Sequence, residues 1–427
     1  MTAGARRLRH GLQRILQPPH TVEDANIRLL YREIAWYGIA NAVAITFTSV
    51  FAIRLGASNQ LLGLLASLPA LVGIVWQMPA ARLVERHPHQ RQLIVIHSLL
   101  HRLGFLAVAI LPWVISSGRP QVLVGITTLM AVPLTVANIA FTALIGDVVP
   151  PGRRARVVSL RNALLALSTT VAVLAIGRLL DAFPFPINYQ GTFLVAFLAS
   201  MLSLADLARL RPPAEEAAQA PAPREPVSWR SVLGHQRFRG FAIATLAVNL
   251  GIYAPSALYA LYKVRTLHAS DTWIGLLGTA ETAVSVFSAY YWGRQTARRG
   301  NRQVLLISCL GMSLYPLLTG LSPRVEPLLV VSFISGLFAP AYNIALFNLL
   351  LEESPVQGRP TYIGIYNVLL NVAAFVGPLF GTALADWLDI RAALLICAAV
   401  RVAAAGVFAW WIRADLRLGA RLSARPS

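Results

Sequence analysis

Charge is scarce in this chain, and the little it carries leans one way. Only 13% of its 427 residues are charged, with 18 acids against 37 bases. A soluble domain carries about a quarter. No polar stretch is long enough for a catalytic domain. Lysine is nearly absent: Lys263 is the one lysine, and Tyr262 precedes it. The phosphate-cradling loop Gly-x-x-x-x-Gly-Lys-Ser/Thr is therefore impossible, and an ATP-driven pump would need a separate subunit. Cysteine is limited to Cys309 and Cys397. Both lie inside apolar runs, which excludes a disulfide framework. Gly-x-Ser-x-Gly, His-Glu-x-x-His and Cys-x-x-Cys do not occur. Neither enzyme chemistry nor a cofactor or metal is expected. The first 33 residues lack the apolar core and cleavage site of a removable signal peptide.

What fills the chain is apolar surface, 56% of the residues, in runs long enough to cross a bilayer. A helical span needs roughly 20 mostly apolar residues. Twelve such runs are read at 34–55, 60–81, 92–115, 121–147, 157–181, 189–210, 240–262, 272–292, 303–322, 327–351, 361–385 and 391–412. They lack period-2 alternation and are too long for barrel strands, so they are helices. The expected fold is an all-α membrane protein of twelve transmembrane helices.

The net charge of +19 does not imply nucleic acid, because the bases are dispersed over many short loops. Most lie in the N-terminal segment, the loops after even-numbered runs and the C-terminus; Arg6, Arg82, Arg153, Arg230 and Arg294 are examples. The opposite loops hold only Arg54, Arg119, Lys263, Arg265, Arg324 and Arg391. That asymmetry places basic loops in the cytoplasm. A multi-pass protein of a bacterial inner membrane with both termini cytoplasmic is expected.

The chain repeats itself. Ala57-Ser58, four residues, Gly63-Leu64-Leu65 returns as Ala269-Ser270, four residues, Gly275-Leu276-Leu277. Pro133 with Asn138-Ile139-Ala140 returns as Pro340 with Asn343-Ile344-Ala345. Residues 212–226 between the copies are rich in proline and alanine and read as a linker. The expected layout is a cytoplasmic segment 1–33, a six-helix bundle 34–211, a cytoplasmic linker 212–238, a second six-helix bundle 239–413 and a cytoplasmic tail 414–427. The two bundles should be pseudo-symmetric.

The polar loop after the second run of each half carries a family resemblance. The later copy has Gly293, Arg298, Gly300 and Arg302, with Ala297 at the acidic position. The earlier copy keeps Glu85 and Arg86 but has Ala81, Pro88 and Gln90. Gly377-Pro378 with Gly381 adds a weaker signature. With six plus six spans and a parallel duplication, residues 34–413 resemble the major facilitator superfamily. The resemblance implies a secondary transporter with a substrate site near the midplane between two rocking halves. It also implies gating by the loops of Glu85, Arg86, Gly293, Arg298, Gly300 and Arg302, with Arg298 and Glu85 meeting helix ends or acids such as Glu352 and Glu353.

Asparagines lie on runs 1, 4, 5, 7, 10 and 11, which the resemblance places around the cavity. Amides in a membrane are either interhelical glue or lumen groups. Asn138, Asn162, Asn343 and Asn367 recur at twinned positions, as glue would. Asn41 and Asn249 fit the lumen better. The candidate substrate cavity combines Asn41, Trp76, Asn249, Tyr253, Tyr342, Asn343 and Tyr366. His97 and His101 share a helix face without enough further ligands for a metal. Arg102 and Arg401 lie deep in their runs and should pair within their own bundles. Glu281 is the acid nearest a mid-span, roughly 14 Å from the outer end by helix rise. It is the candidate proton-coupling residue; the competing role is a structural pair with Arg401. The expected activity is proton-coupled transport of a small organic solute, efflux rather than uptake, by a monomer in the bilayer. The alternative is a scramblase or sensor that keeps the fold.

Overall fold

The computed structural model describes residues 21–87, 90–211, 232, 234–355 and 358–423. Pro88, most of the expected linker and parts of both terminal segments lie outside them. The described chain forms twelve long helices and, among those residues, no strand. They are α1 (Val22–Arg54), α2 (Asn59–Arg86), α3 (Gln90–Val114), α4 (Arg119–Val148), α5 (Pro151–Ala182), α6 (Ile187–Ala208), α7 (Gln236–Thr266), α8 (Asp271–Arg299), α9 (Asn301–Leu321), α10 (Leu328–Glu353), α11 (Arg359–Trp387) and α12 (Ile390–Ser423). Eleven are long and apolar enough to cross a membrane. The exception, α8, has 29 residues but carries Asp271, Glu281, Arg294, Arg298 and Arg299. It can be more polar because it packs against both α10 and α5.

Local sequence explains the repeated helix starts. Ser58 and Ser270 are N-caps: the Ser58 hydroxyl accepts from Leu61 N at 3.2 Å and that of Ser270 from Trp273 N at 3.3 Å. Each satisfies a backbone donor that the first helical turn leaves unpaired. Gly300, with φ of +82°, ends α8 and caps α9, a conformation that disfavours any side chain.

Packing repeats in the same order. In the first half α1 packs on α5 and α6, α2 on α4, and α3 on α4 and α6. In the second, α7 packs on α11 and α12, α8 on α10, and α9 on α10 and α12. The halves meet chiefly through α2 against α11 and α5 against α8. Exposed apolar side chains such as Leu129, Leu167, Phe287, Val330 and Trp410 mark surfaces suited to hydrocarbon rather than water.

α7 is broken where Pro255 removes a donor. α11 fits against this break because Gly377 and Gly381 have no side chains: a Cβ on Gly377 would lie 2.7 Å from that of Tyr253, and one on Gly381 would collide with the Ala254 carbonyl.

Arg401 answers the same break. A proline leaves the carbonyl four residues before it without its helical partner. The Arg401 guanidinium donates to Gly251 O at 2.9 Å, four residues before Pro255, and to Met312 O at 2.6 Å, four residues before Pro316. It also donates to Ile252 O at 2.9 Å. The pair with Glu281, the competing role named above, is not among these contacts, because Arg401 serves carbonyls that two prolines set free.

Candidate functional site: a cavity beside the junction of the halves and a latched end

A cavity of about 320 Å³ lies beside the junction of the halves. Its walls come from α1, α2, α3, α4 and α6, with Ser256, Ala257 and Ala260 of α7. Thr48, Ser49, Thr127, Ser256 and His101 supply polar groups to an otherwise apolar lining. This matches the size and character of small-molecule sites.

The end of the bundle opposite the chain termini is held shut by polar contacts between the halves. Arg54 donates to Asp271 at 2.9 Å, and the Tyr189 hydroxyl donates to the same carboxylate at 2.6 Å. The Asp181 carboxylate, at the end of α5, accepts from Asp271 N and Thr272 N, both at 2.9 Å. It thereby occupies the N-terminus of α8, where unpaired donors and the helix dipole favour an anion. Across the pseudo-twofold, Asn59 donates to Asp386 at 2.7 Å, and Arg265 donates to Asn59 at 2.6 Å and to Ala57 O. Asn59 and Asp271 are repeat-related, as are Asp181 and Asp386. Each half thus offers the end of its fifth helix to the start of the other half's second. Sequence reading missed these latches, although the repeat register carries their positions.

At the terminus end, the ion pairs among the described residues join partners within one half. Arg153 meets Asp24 at 2.9 Å and Arg302 meets Glu353 at 2.7 Å. Glu352 accepts from Asn301. Glu85, Arg86, Gly293, Arg298 and Gly300 are exposed. The acids at the end of α10 are thus held by Asn301, Arg302 and Arg237, and not by Arg298.

The candidate cavity residues do not gather in one place. Asn249, Tyr342 and Tyr366 form one buried cluster: the Tyr342 hydroxyl donates to Asn249 Oδ1 at 2.8 Å, and Asn249 Nδ2 donates to Thr245 O at 2.8 Å and to the Tyr366 hydroxyl at 3.4 Å. Asn41 ties α1 to α5, donating to Thr169 Oγ1 at 3.2 Å. Tyr253 is half-buried beneath Gly377, while Trp76 and Asn343 are exposed. Glu281 is half-buried and accepts from Ser335 of α10 at 2.6 Å. Lys263 lies within electrostatic range of it. His97 and His101 each bond a backbone carbonyl, that of Leu93 at 2.9 Å and that of Met130 at 3.1 Å. No group of three or more His, Cys, Asp or Glu among the described residues is placed to hold a metal.

Comparison with known proteins follows this geometry. A sequence profile described as Major Facilitator Superfamily matches residues 34–265 and 241–427. Multidrug resistance protein MdtG of Proteus mirabilis is 30% identical over 133 residues, 30% of this chain and 32% of that protein. MdtG of Serratia proteamaculans is 30% identical over 135 residues, 31% of this chain and 32% of that protein. The chain thus matches about a third of the length of these curated relatives. Among solved structures, nucleoside transporter NupG aligns with a TM-score of 0.70 at 12% identity, over 92% of this chain and 99% of that one. A bacterial homolog of the human lysosomal transporter Spinster aligns at 0.68 and 13% identity, over 93% and 97%.

Proposed function

The chain belongs to the Major Facilitator Superfamily, and on that premise we propose that it is a secondary active transporter that exports a small organic solute across a bacterial inner membrane, driven by protons. The observation that carries the reading is the cavity of about 320 Å³ beside a junction latched at one end, while at the other the ion pairs among the described residues stay within one half. Such a site can be exposed to each side in turn if the latches break while the opposite end closes. The basic loops assign the terminus end to the cytoplasm. On that assignment the latched end faces outward and the conformation is open inward. The partial likeness to MdtG favours efflux. A monomer surrounded by lipid suffices, since both halves come from one chain.

Glu281 is the proposed coupling carboxyl. A carboxylate at that depth is costly unless protonated or paired, and Ser335 and Lys263 offer it a hydrogen bond and a nearby cation. The test is transport in liposomes with an imposed proton gradient. Wild-type protein is expected to accumulate solute against its gradient. Glu281→Gln is expected to lose accumulation while still exchanging solute. Accumulation by the variant at the wild-type level overturns Glu281 as the coupling residue. Movement of lipid without a gradient, and of no solute, overturns transport itself.

A further inference from the structure

A second cavity, about 150 Å³, lies within the first half and adjoins the larger one, sharing His101 and Leu134 in its walls. Its character is different. Glu33, Tyr37, Ser98, Arg102, Asn138 and Arg161 line it. Arg161 is committed: its Nη1 lies 3.0 Å from Glu33 Oε2 and 3.2 Å from Leu30 O, and its guanidinium carbon sits 4.5 Å from the centre of the Phe141 ring. Glu33 also accepts from Ser203 Oγ at 3.1 Å.

Arg102 is not committed in this way. It is 3% exposed and stands mid-way along α3. Its Nη2 donates to Ser203 Oγ at 2.9 Å, so it reaches Glu33 only through that hydroxyl. Its Nε and Nη1 make no hydrogen bond. Arg401, the deep cation of the other half, has every nitrogen engaged by a carbonyl. Two guanidiniums against one carboxylate leave this cavity with one excess positive charge. A buried donor without an acceptor is costly, and a buried cation without a counter-charge more so. A guanidinium pairs the two oxygens of one acidic group along its Nε–Nη2 or its Nη1–Nη2 edge, and the Nη2 hydrogen not given to Ser203 leaves one of these edges open beside an unpartnered nitrogen.

We infer that this cavity binds the acidic group of the solute, a carboxylate or phosphate held by Arg102, while the adjoining apolar cavity takes its hydrophobic body. The solute class is therefore the amphipathic anion. The inference rests on the transport reading and narrows it. Asn138 and Ser98 add neutral polar groups to its walls, and His101 lines both compartments.

The experiment compares three probes of equal chain length on purified protein: decanoate, decanol and decyltrimethylammonium, with affinity read by calorimetry and stability by thermal shift. Wild type is expected to bind decanoate about tenfold or more tighter than decanol, as a charge-assisted contact predicts. Arg102→Gln is expected to bind the two alike. Because that variant removes a buried group, Ser98→Glu is the second arm. Ser98 lies one turn before Arg102 on the same helix, so a carboxylate there supplies the missing counter-charge. Ser98→Glu is expected to raise the melting temperature without ligand and to abolish the decanoate preference. Equal binding of all three probes by wild type overturns the inference, as does an unchanged decanoate preference in folded Ser98→Glu.

Vesicles of phosphatidylcholine with and without phosphatidylglycerol separate a free acid from a lipid headgroup. If the natural anion is a lipid, phosphatidylglycerol stabilises wild type but not Ser98→Glu and competes with decanoate. If it is a free acid, decanoate binding is the same in both vesicles. Transport of neutral or cationic solutes with no preference for acids overturns this inference and leaves transport standing. Arg102-dependent decanoate binding with no solute movement in liposomes overturns transport and leaves the anion site standing.

Discussion

At the scale of single residues, the basic loop after α8 divides into two kinds of arginine. Arg302 is half-buried against Glu353, whose side chain is 2% exposed. Arg298 is exposed. Arg302→Ala is expected to lower stability by roughly 1–3 kcal/mol, because it withdraws a charged donor from a buried carboxylate; thermal unfolding in detergent checks it. Arg298→Ala is expected to leave stability unchanged and to slow transport, since the proposed gate would engage it only when the terminus end closes. Substrate affinity should stay within a few-fold. A large loss of affinity at normal turnover would place Arg298 in binding instead.

At the scale of elements, α7, α9 and α12 form a unit around one guanidinium. Pro255 and Pro316 free carbonyls that Arg401 collects. Arg401→Met is expected to destabilise the second half by roughly 3 kcal/mol or more, since each unsatisfied buried carbonyl costs about 1–3 kcal/mol. Restoring the helical donors with Pro255→Ala and Pro316→Ala should recover much of that loss, which a stability cycle over the variants measures. Gly381→Ala tests the neighbouring contact. The added methyl meets the Ala254 carbonyl of the broken segment, so a cost of about 1–3 kcal/mol from overpacking is expected in the same melting experiment.

At the scale of the whole molecule, the proposed alternating access requires the latches to break. Asn59 and Asp386 touch across the halves at 2.7 Å. In a background without Cys309 and Cys397, cysteines at both positions joined by a short thiol-reactive linker should hold the latched end shut and stop transport. Cleaving the linker should restore it. Transport that continues at the wild-type rate while linked would exclude separation of these ends from the cycle. Orientation has its own test: single cysteines at Ala220 and Ser423 are expected to resist an impermeant thiol reagent in intact cells, and labelling of either from outside reverses the assignment.

The helices, their number and the duplication follow from the sequence alone, because a bilayer demands long apolar runs and a repeat imposes the same order of packing twice. Ser58 and Ser270 marked the repeat in the sequence, and their capping role came with the structure. What only the tertiary structure decided is which polar groups meet. Arg401 serves two proline-freed carbonyls on other helices, Asp271 meets Arg54 and Tyr189, and Arg102 stands over a cavity with two nitrogens unpartnered. Each of these depends on the rotation of one helix against another, and apolar periodicity leaves that rotation open where hydrocarbon and protein core are alike in polarity.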